Sequence, residues 1–198
     1  SAVTGFHPDF TVNPGNCGKD IVQKLLSFVP DKIFLEGDAA YLVNPQPADT
    51  TVYGYGAAPT GASHAIVESK HRSGRMDVNR VQAEGWDTAA GKIIIADGFN
   101  WDAMDGAFER LKHVTDRNLN SVSEAGQRAS AVLRQAEIEA DDSVIVVPVN
   151  CGQQMFDVVS ITDIPAGLSS FAKRVMGMTL INNPERAEYY HRLHLGRV

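Results

Sequence analysis

The chain has 198 residues, 43% of them apolar and 21% charged, which is enough hydrophobic material for a sizeable core and argues against a disordered chain. Eighteen lysines and arginines against 24 aspartates and glutamates leave a net charge of −6, so the molecule offers no bulk positive field to hold a phosphate backbone. Its longest apolar runs, such as Val144-Ile145-Val146-Val147, are strand-sized and far too short for a membrane-spanning helix.

No N-terminal apolar run reads as a signal peptide. Two cysteines, Cys17 and Cys151, make neither a disulfide framework nor a structural zinc site, and a reducing compartment is expected. The chain starts at Ser1 rather than Met, so a processed, trimmed or excised product is expected.

In chain order, Asn13-Pro14-Gly15-Asn16 reads as a turn before a helix carrying Ile21, Val22, Leu25, Leu26 and Val29 at helical spacing, closed by Pro30. Lys32–Leu35 and Ala40–Val43 flank Glu36-Gly37-Asp38, a hairpin signal. Asn44-Pro45-Gln46-Pro47 ends the second strand, because proline has no N–H for a ladder. Thr51–Tyr55, Ala65–Ser69, Val78–Gln82 and Ile93–Ile95 read as further strands, with Gly54, Gly56 and Gly61 loosening the connections.

Trp101, Met104, Phe108 and Leu111 fall on one helical face, which predicts a helix over 101–114. Ser121-Val122-Ser123-Glu124 has capping-box form, and Val122, Ala125, Ala129, Val132, Leu133 and Ala136 behind it predict an amphipathic helix over 122–139. From Ser143 the pattern is β again: Ser143–Val149, Met155–Thr162, Phe171–Ile181 and Ala187–Leu195, with short turns between them. This predicts an antiparallel meander or small barrel. The fold class is α+β, with a small α/β domain at 1–60 (helix plus β-hairpin). An antiparallel β-barrel-like domain with an amphipathic helix follows at 61–198.

Cys151 is the most tempting nucleophile, but its place in a tight turn between strands supplies no helix N-terminus to lower a thiol pKa. His191 and His194 lie three apart on a predicted strand and point to opposite faces, so they cannot converge on a metal. His64, His71, Arg72 and Arg75 form a local basic cluster that reads as a solvated strand end or an anion site. Gly54-Tyr55-Gly56 lacks the third glycine and the helix of a dinucleotide fingerprint. Asp141-Asp142 and Asp102/Asp105 have no partner acid or ligand set. Trp86 and Trp101, with Tyr189 and Tyr190, read as core or interface aromatics, or as a sugar platform. No catalytic, cofactor-binding or metal residue is assigned, and a strand-rich chain without converging polar groups suits assembly better than catalysis.

Two segments carry a resemblance. One runs from Ser63-His64-Ala65-Ile66-Val67-Glu68 through Val78-Asn79-Arg80-Val81-Gln82-Ala83-Glu84-Gly85. The other runs from Val144 through Gly152-Gln153-Gln154-Met155-Phe156-Asp157-Val158-Val159 and Arg174-Val175-Met176-Gly177-Met178 to Leu193-His194-Leu195-Gly196. Their order, with an alanine-rich helix between them, resembles the tail-hub or baseplate-hub proteins of tailed bacteriophages. Complete hubs are longer and begin with another β-domain, so the resemblance implies a fragment or a shortened version.

It further implies a non-enzymatic component of a virion tail, assembled in the bacterial host cytoplasm. Its expected partners are other tail or baseplate proteins and sister copies in a ring, possibly of threefold symmetry. It implies no cofactor, no membrane span and no specific nucleic-acid binding. Phe156, Phe171 and Tyr190 are the expected contact residues. The rival readings are a cysteine-dependent hydrolase using Cys151 and a carbohydrate-binding tail module using Trp86 and Trp101.

Overall fold

The computed structural model describes residues 11–198 apart from 28, 30, 57–62, 73, 75 and 107. Pro30, Gly61 and Arg75 therefore lie outside the described residues. The elements in chain order are α1 (Gly18–Leu26), β1 (Lys32–Glu36), β2 (Ala39–Val43), β3 (Thr51–Gly56), β4 (His64–Ala65), β5 (Glu68–Lys70), β6 (Arg80–Asp87) and β7 (Lys92–Phe99). They continue with α2 (Trp101–Asp105), β8 (Leu111–Thr115), α3 (Val122–Glu139), β9 (Ser143–Pro148), β10 (Val158–Asp163), β11 (Leu168–Asn183) and β12 (Glu188–Arg197). The chain divides into two compact units, Ser1–Asn44 with Met76–Glu137 and Pro45–Arg75 with Ile138–Val198. Each unit is discontinuous, where the sequence pattern suggests one seam near residue 60.

The first unit holds a three-stranded sheet of order β7-β6-β8, in which β6 runs antiparallel to β7 and parallel to β8. Along β6 the side chains alternate, so Val81 and Ala83 are buried while Arg80, Gln82 and Glu84 face outward. Ala125, Ala129, Val132 and Leu133 of α3 are buried, and small residues let sheet and helix approach: a Cβ on Gly98 would lie 3.3 Å from the Ala129 Cβ. The capping box forms as its sequence predicts. Glu124 N donates to Ser121 Oγ (3.2 Å), and Glu124 Oε2 accepts from Ser121 N (3.2 Å) and Asn120 N (2.7 Å).

The helix predicted over 101–114 is cut short. α2 ends at Asp105, and Leu111–Thr115 is a strand paired with β6. The cause lies thirty residues upstream. Asn79 Oδ1 accepts from Arg110 N (2.6 Å) and Asn79 Nδ2 donates to the Phe108 carbonyl (2.9 Å), which pins 108–110 in an extended path where helix bonds would otherwise close.

The hairpin of β1 and β2 forms around Gly37, whose φ of 58° is the left-handed geometry its turn requires. The helix predicted to run through Val29 ends at Leu26, where the Ser27 hydroxyl donates back to the Lys24 carbonyl (2.7 Å).

The second unit is one seven-stranded sheet of order β4-β3-β10-β11-β12-β9-β5, curled into a half-barrel. The four C-terminal strands pair antiparallel, but β9 joins β12 rather than β10, so they are not a simple meander. β3 extends the sheet beside β10 in parallel. The two edge strands belong to one short segment: Ile66 N donates to Gly56 O at one edge (3.1 Å) and Val67 N to Val146 O at the other (2.8 Å).

The curl encloses Tyr55, Ile145, Val147, Val159, Ile161, Val175, Leu193 and Leu195, each worth about 1.5–3 kcal/mol if fully withdrawn from water. Arg174 is the largest fully buried side chain. Its Nη1 donates to the Phe156 carbonyl (3.0 Å) and pairs with Asp49 Oδ2 (2.9 Å), while Nη2 donates to the Gln46 carbonyl (2.8 Å).

Candidate functional site

The residues that suggest chemistry do not converge on a reactive centre. Cys151 is exposed in a turn held by Asn150, whose Oδ1 accepts from Gly152 N (3.1 Å). The buried network beneath that turn is made of a phenol, amides and a carboxylate. Tyr55 Oη donates to Gln153 Oε1 (2.8 Å), Asn150 Nδ2 donates to Tyr55 Oη (3.3 Å), and Gln153 Nε2 donates to Asp157 Oδ2 (2.8 Å). Burial raises the Tyr55 pKa and keeps that hydroxyl protonated. This network fixes the loop between β9 and β10 and offers the thiol no imidazole.

One set of residues has the composition of a hydrolytic triad without its geometry. Ser69 Oγ donates to Asp163 Oδ2 (2.7 Å), and His71 Nε2 contacts the same oxygen (2.9 Å). In a working triad the imidazole lies between hydroxyl and acid; here the carboxylate lies between hydroxyl and imidazole. The Ser69 hydrogen bond lowers the Asp163 pKa against the opposing effect of burial, with His71 and the Ala166 N–H adding to it. Asp163 closes β10 and Ser69 lies on β5 at a sheet edge, so the cluster fastens the curl.

The other candidates are dispersed. His191 is buried and His194 exposed on β12; burial lowers the His191 pKa. Of the basic cluster, His64 sits beside the Tyr53 ring (5.4 Å between centroids) and His71 is bound to Asp163. Asp141 is engaged by Lys173 Nζ and by Ser143 Oγ (2.8 Å). Trp86 pairs opposite Ile93, and Phe99, on which Trp101 stacks at 4.8 Å, pairs opposite Arg80. Six positions along β6 separate these pairs, about 20 Å at the rise of an extended strand, so the two tryptophans do not form one platform. Among the described residues no group of three or more His, Cys, Asp or Glu side chains could hold a metal ion, and no helix is long and apolar enough to cross a membrane.

What the second unit does expose is strand edge. β10 accompanies β11 only as far as Arg174, whereas β12 accompanies it to Asn183. Among the described residues Met178-Thr179-Leu180-Ile181-Asn182-Asn183 therefore has a strand on one side only; it carries no charge, and it presents Met178 and Leu180 to solvent with Tyr189 beside them. An uncharged edge of this length is a template for another strand. The sequence pattern alone does not reveal it, because the signal is the unequal length of neighbouring strands.

Of the expected contact residues, Phe171 is exposed on β11, with the Lys173 ammonium 5.4 Å from its ring centroid. Tyr190 is half-buried between Ile181 and Pro148 on the flanking strands. Phe156 is half-buried with a φ of 69°, its N–H donating to Val175 O (2.8 Å) and its carbonyl accepting from Arg174.

No family model and no curated protein matches the sequence, but solved structures share its fold. A tail protein from Neisseria meningitidis MC58 matches 94% of this chain at a TM-score of 0.72 and 14% identity, over 57% of its own length. The 43 kDa tail protein of prophage MuSo2 from Shewanella oneidensis matches 95% at 0.65 and 10%, over 54% of its length. A chain in the virion of a native gene transfer agent particle matches 96% at 0.60 and 15%, over 40% of its length. The chain thus has the fold of a part of these proteins and spans about half the length of the first two.

Proposed function

We propose that this chain is a structural component of a phage or phage-like tail, of the hub or baseplate type, which joins the tail tube to distal tail parts through protein–protein contacts. The observation that carries the reading is the shared fold with a tail protein over 94% of the chain. In this reading the chain acts without catalysis, within a virion tail assembled in the host cytoplasm, beside other tail proteins and sister copies in a ring. A net charge of −6 suits a part that does not retain DNA.

The free edge of β11 supplies a means of association. A neighbouring strand laid along Met178–Asn183 gains main-chain hydrogen bonds, and Leu180 and Tyr189 supply apolar contact. Phe171 adds an exposed aromatic on the same strand, with Tyr190 and Phe156 as lesser contacts. Sedimentation of the purified chain, with negative-stain microscopy, tests this. The expected result is a concentration-dependent oligomer whose association weakens at least tenfold in a Met178→Lys/Leu180→Lys variant, since lysine blunts strand edges. A strict monomer at all concentrations would overturn the reading.

A further inference from the structure

Among its described residues the first unit carries exposed apolar surface. No residue of α1 is buried, although Val22 and Leu25 share a face, and no residue of β1 or β2 is buried. In the hairpin Ile33 pairs with Leu42 and Leu35 with Ala40, so these four share one face; Phe34 and Tyr41, stacked at 5.1 Å, share the other. Leu35 is 77% exposed and Leu42 51%. A nine-residue helix and a two-stranded ribbon are each marginal in water without support. The base of this arm is fastened: Val29 and Asp31 are buried, and Gln135 Nε2 donates to the Val29 carbonyl (3.2 Å).

The same unit holds a matching acceptor. β7 is an edge strand whose Ile93 and Ile95 are 57% and 52% exposed. Beside it lies a groove of about 460 Å³ lined by Trp86, Ile93, Glu84 and Arg117. Strand edges that must stay unpaired usually carry charge. The stretch Ala39–Val43 carries none, and neither does the Ile93-Ile94-Ile95-Ala96 stretch of β7.

We infer that β2 of one copy adds to the β7 edge of a second copy and seats Leu35 and Leu42 against Ile93 and Ile95. The stretches that would pair, Ala39–Val43 and Ile93–Ala96, are of similar length and uncharged, and one chain carries both, which favours a second copy over a charged partner. On the shared ribbon face Ile33, Leu35 and Leu42, 40%, 77% and 51% exposed, offer roughly 300 Å² of apolar surface, to which a strand ladder adds main-chain contact towards the ~800 Å² per partner of a standard interface. Because donor and acceptor are different surfaces, the contact is head-to-tail, and it closes into a ring where the rotation between copies allows and extends as an open chain where it does not. This rests on the assembly reading above and names one of its contacts.

The test uses the full chain with Cys17 and Cys151 changed to serine. A Leu42→Cys chain is mixed with an Ile95→Cys chain and treated with a short bis-maleimide, which tolerates a slip of a residue or two in register. The expected result is several-fold more cross-linked dimer in the mixture than in either chain alone. Equal yields in all three samples would overturn the inference. If the unmodified chain sediments as an oligomer but the mixture gives no excess of dimer, the arm contact fails and the assembly reading stands. If the unmodified chain is a strict monomer, both fail.

Discussion

Replacing Arg174 by methionine keeps the aliphatic stem and removes the guanidinium from the interior of the second unit. The side chain is 1% exposed and its partner Asp49 is 38% exposed, so the two ends of the pair carry unequal weight. Without the guanidinium, the Phe156 and Gln46 carbonyls lose a charged donor, at about 1–3 kcal/mol for each group that stays unsatisfied. Asp49 re-solvates cheaply, because more than a third of it already meets water. The expected net cost is about 2–4 kcal/mol, below the ~3–5 kcal/mol of breaking a fully buried pair.

Asp49→Asn keeps a hydrogen-bond acceptor at the same site and is expected to cost about 1 kcal/mol. Urea unfolding followed by near-ultraviolet circular dichroism measures both, and Arg174→Met is expected to lower Tm by roughly 4–16 °C at ~2–4 °C per kcal/mol. A cost for Arg174→Met below that for Asp49→Asn would refute the assignment of Arg174 as the tie between residues 46–49 and the sheet.

Three further outcomes follow from named contacts. Gly85→Ala drives a Cβ to within 2.6 Å of the Leu119 Cβ and is expected to destabilise by about 1–3 kcal/mol or more. Gly126→Ala on α3 meets nothing within 4 Å and is expected to stabilise by about 0.5–1 kcal/mol; thermal melts read both. Ser121→Ala removes the acceptor for Glu124 N and is expected to cost about 1 kcal/mol in the same assay.

For pH, His191 has a folded pKa below its ordinary 6.5, so below pH 6.5 the unfolded chain binds the proton first and stability falls with pH. His191→Gln is expected to flatten that slope in unfolding measured from pH 7 to 5. Asp163 has a folded pKa below its ordinary 3.8, so its contribution is complete above that value and is lost as pH falls further. Asp163→Asn is expected to lower stability at neutral pH and to reduce the loss seen below pH 4.

Local elements were legible in the sequence and long-range ones were not. Glu36-Gly37-Asp38 sets its own turn, and Ser121 and Glu124 cap α3 through bonds spanning only three residues. The apolar run Val144–Val147 reads as a strand from its own residues, and Ile145 and Val147 lie in the core. By contrast, the strand at Leu111 exists because Asn79 and β6 claim it from far upstream, against its own helical spacing. The parallel pairing of β3 with β10 joins residues over a hundred positions apart, and no local pattern encodes it.

Of the expected contact residues, Phe171 is exposed, on β11 at the middle of the seven-stranded sheet. The free edge at Met178–Asn183 arises from where β10 stops relative to β12, a property of register rather than of composition.

Hydrogen–deuterium exchange of the full chain at increasing concentration tests the assembly account at its centre. The account predicts that amides within Met178–Asn183 that are not bonded to β12 slow markedly as the chain associates, with those of Ala39–Val43 slowing alongside them. Exchange in both stretches that stays unchanged while the sedimenting mass rises would contradict it.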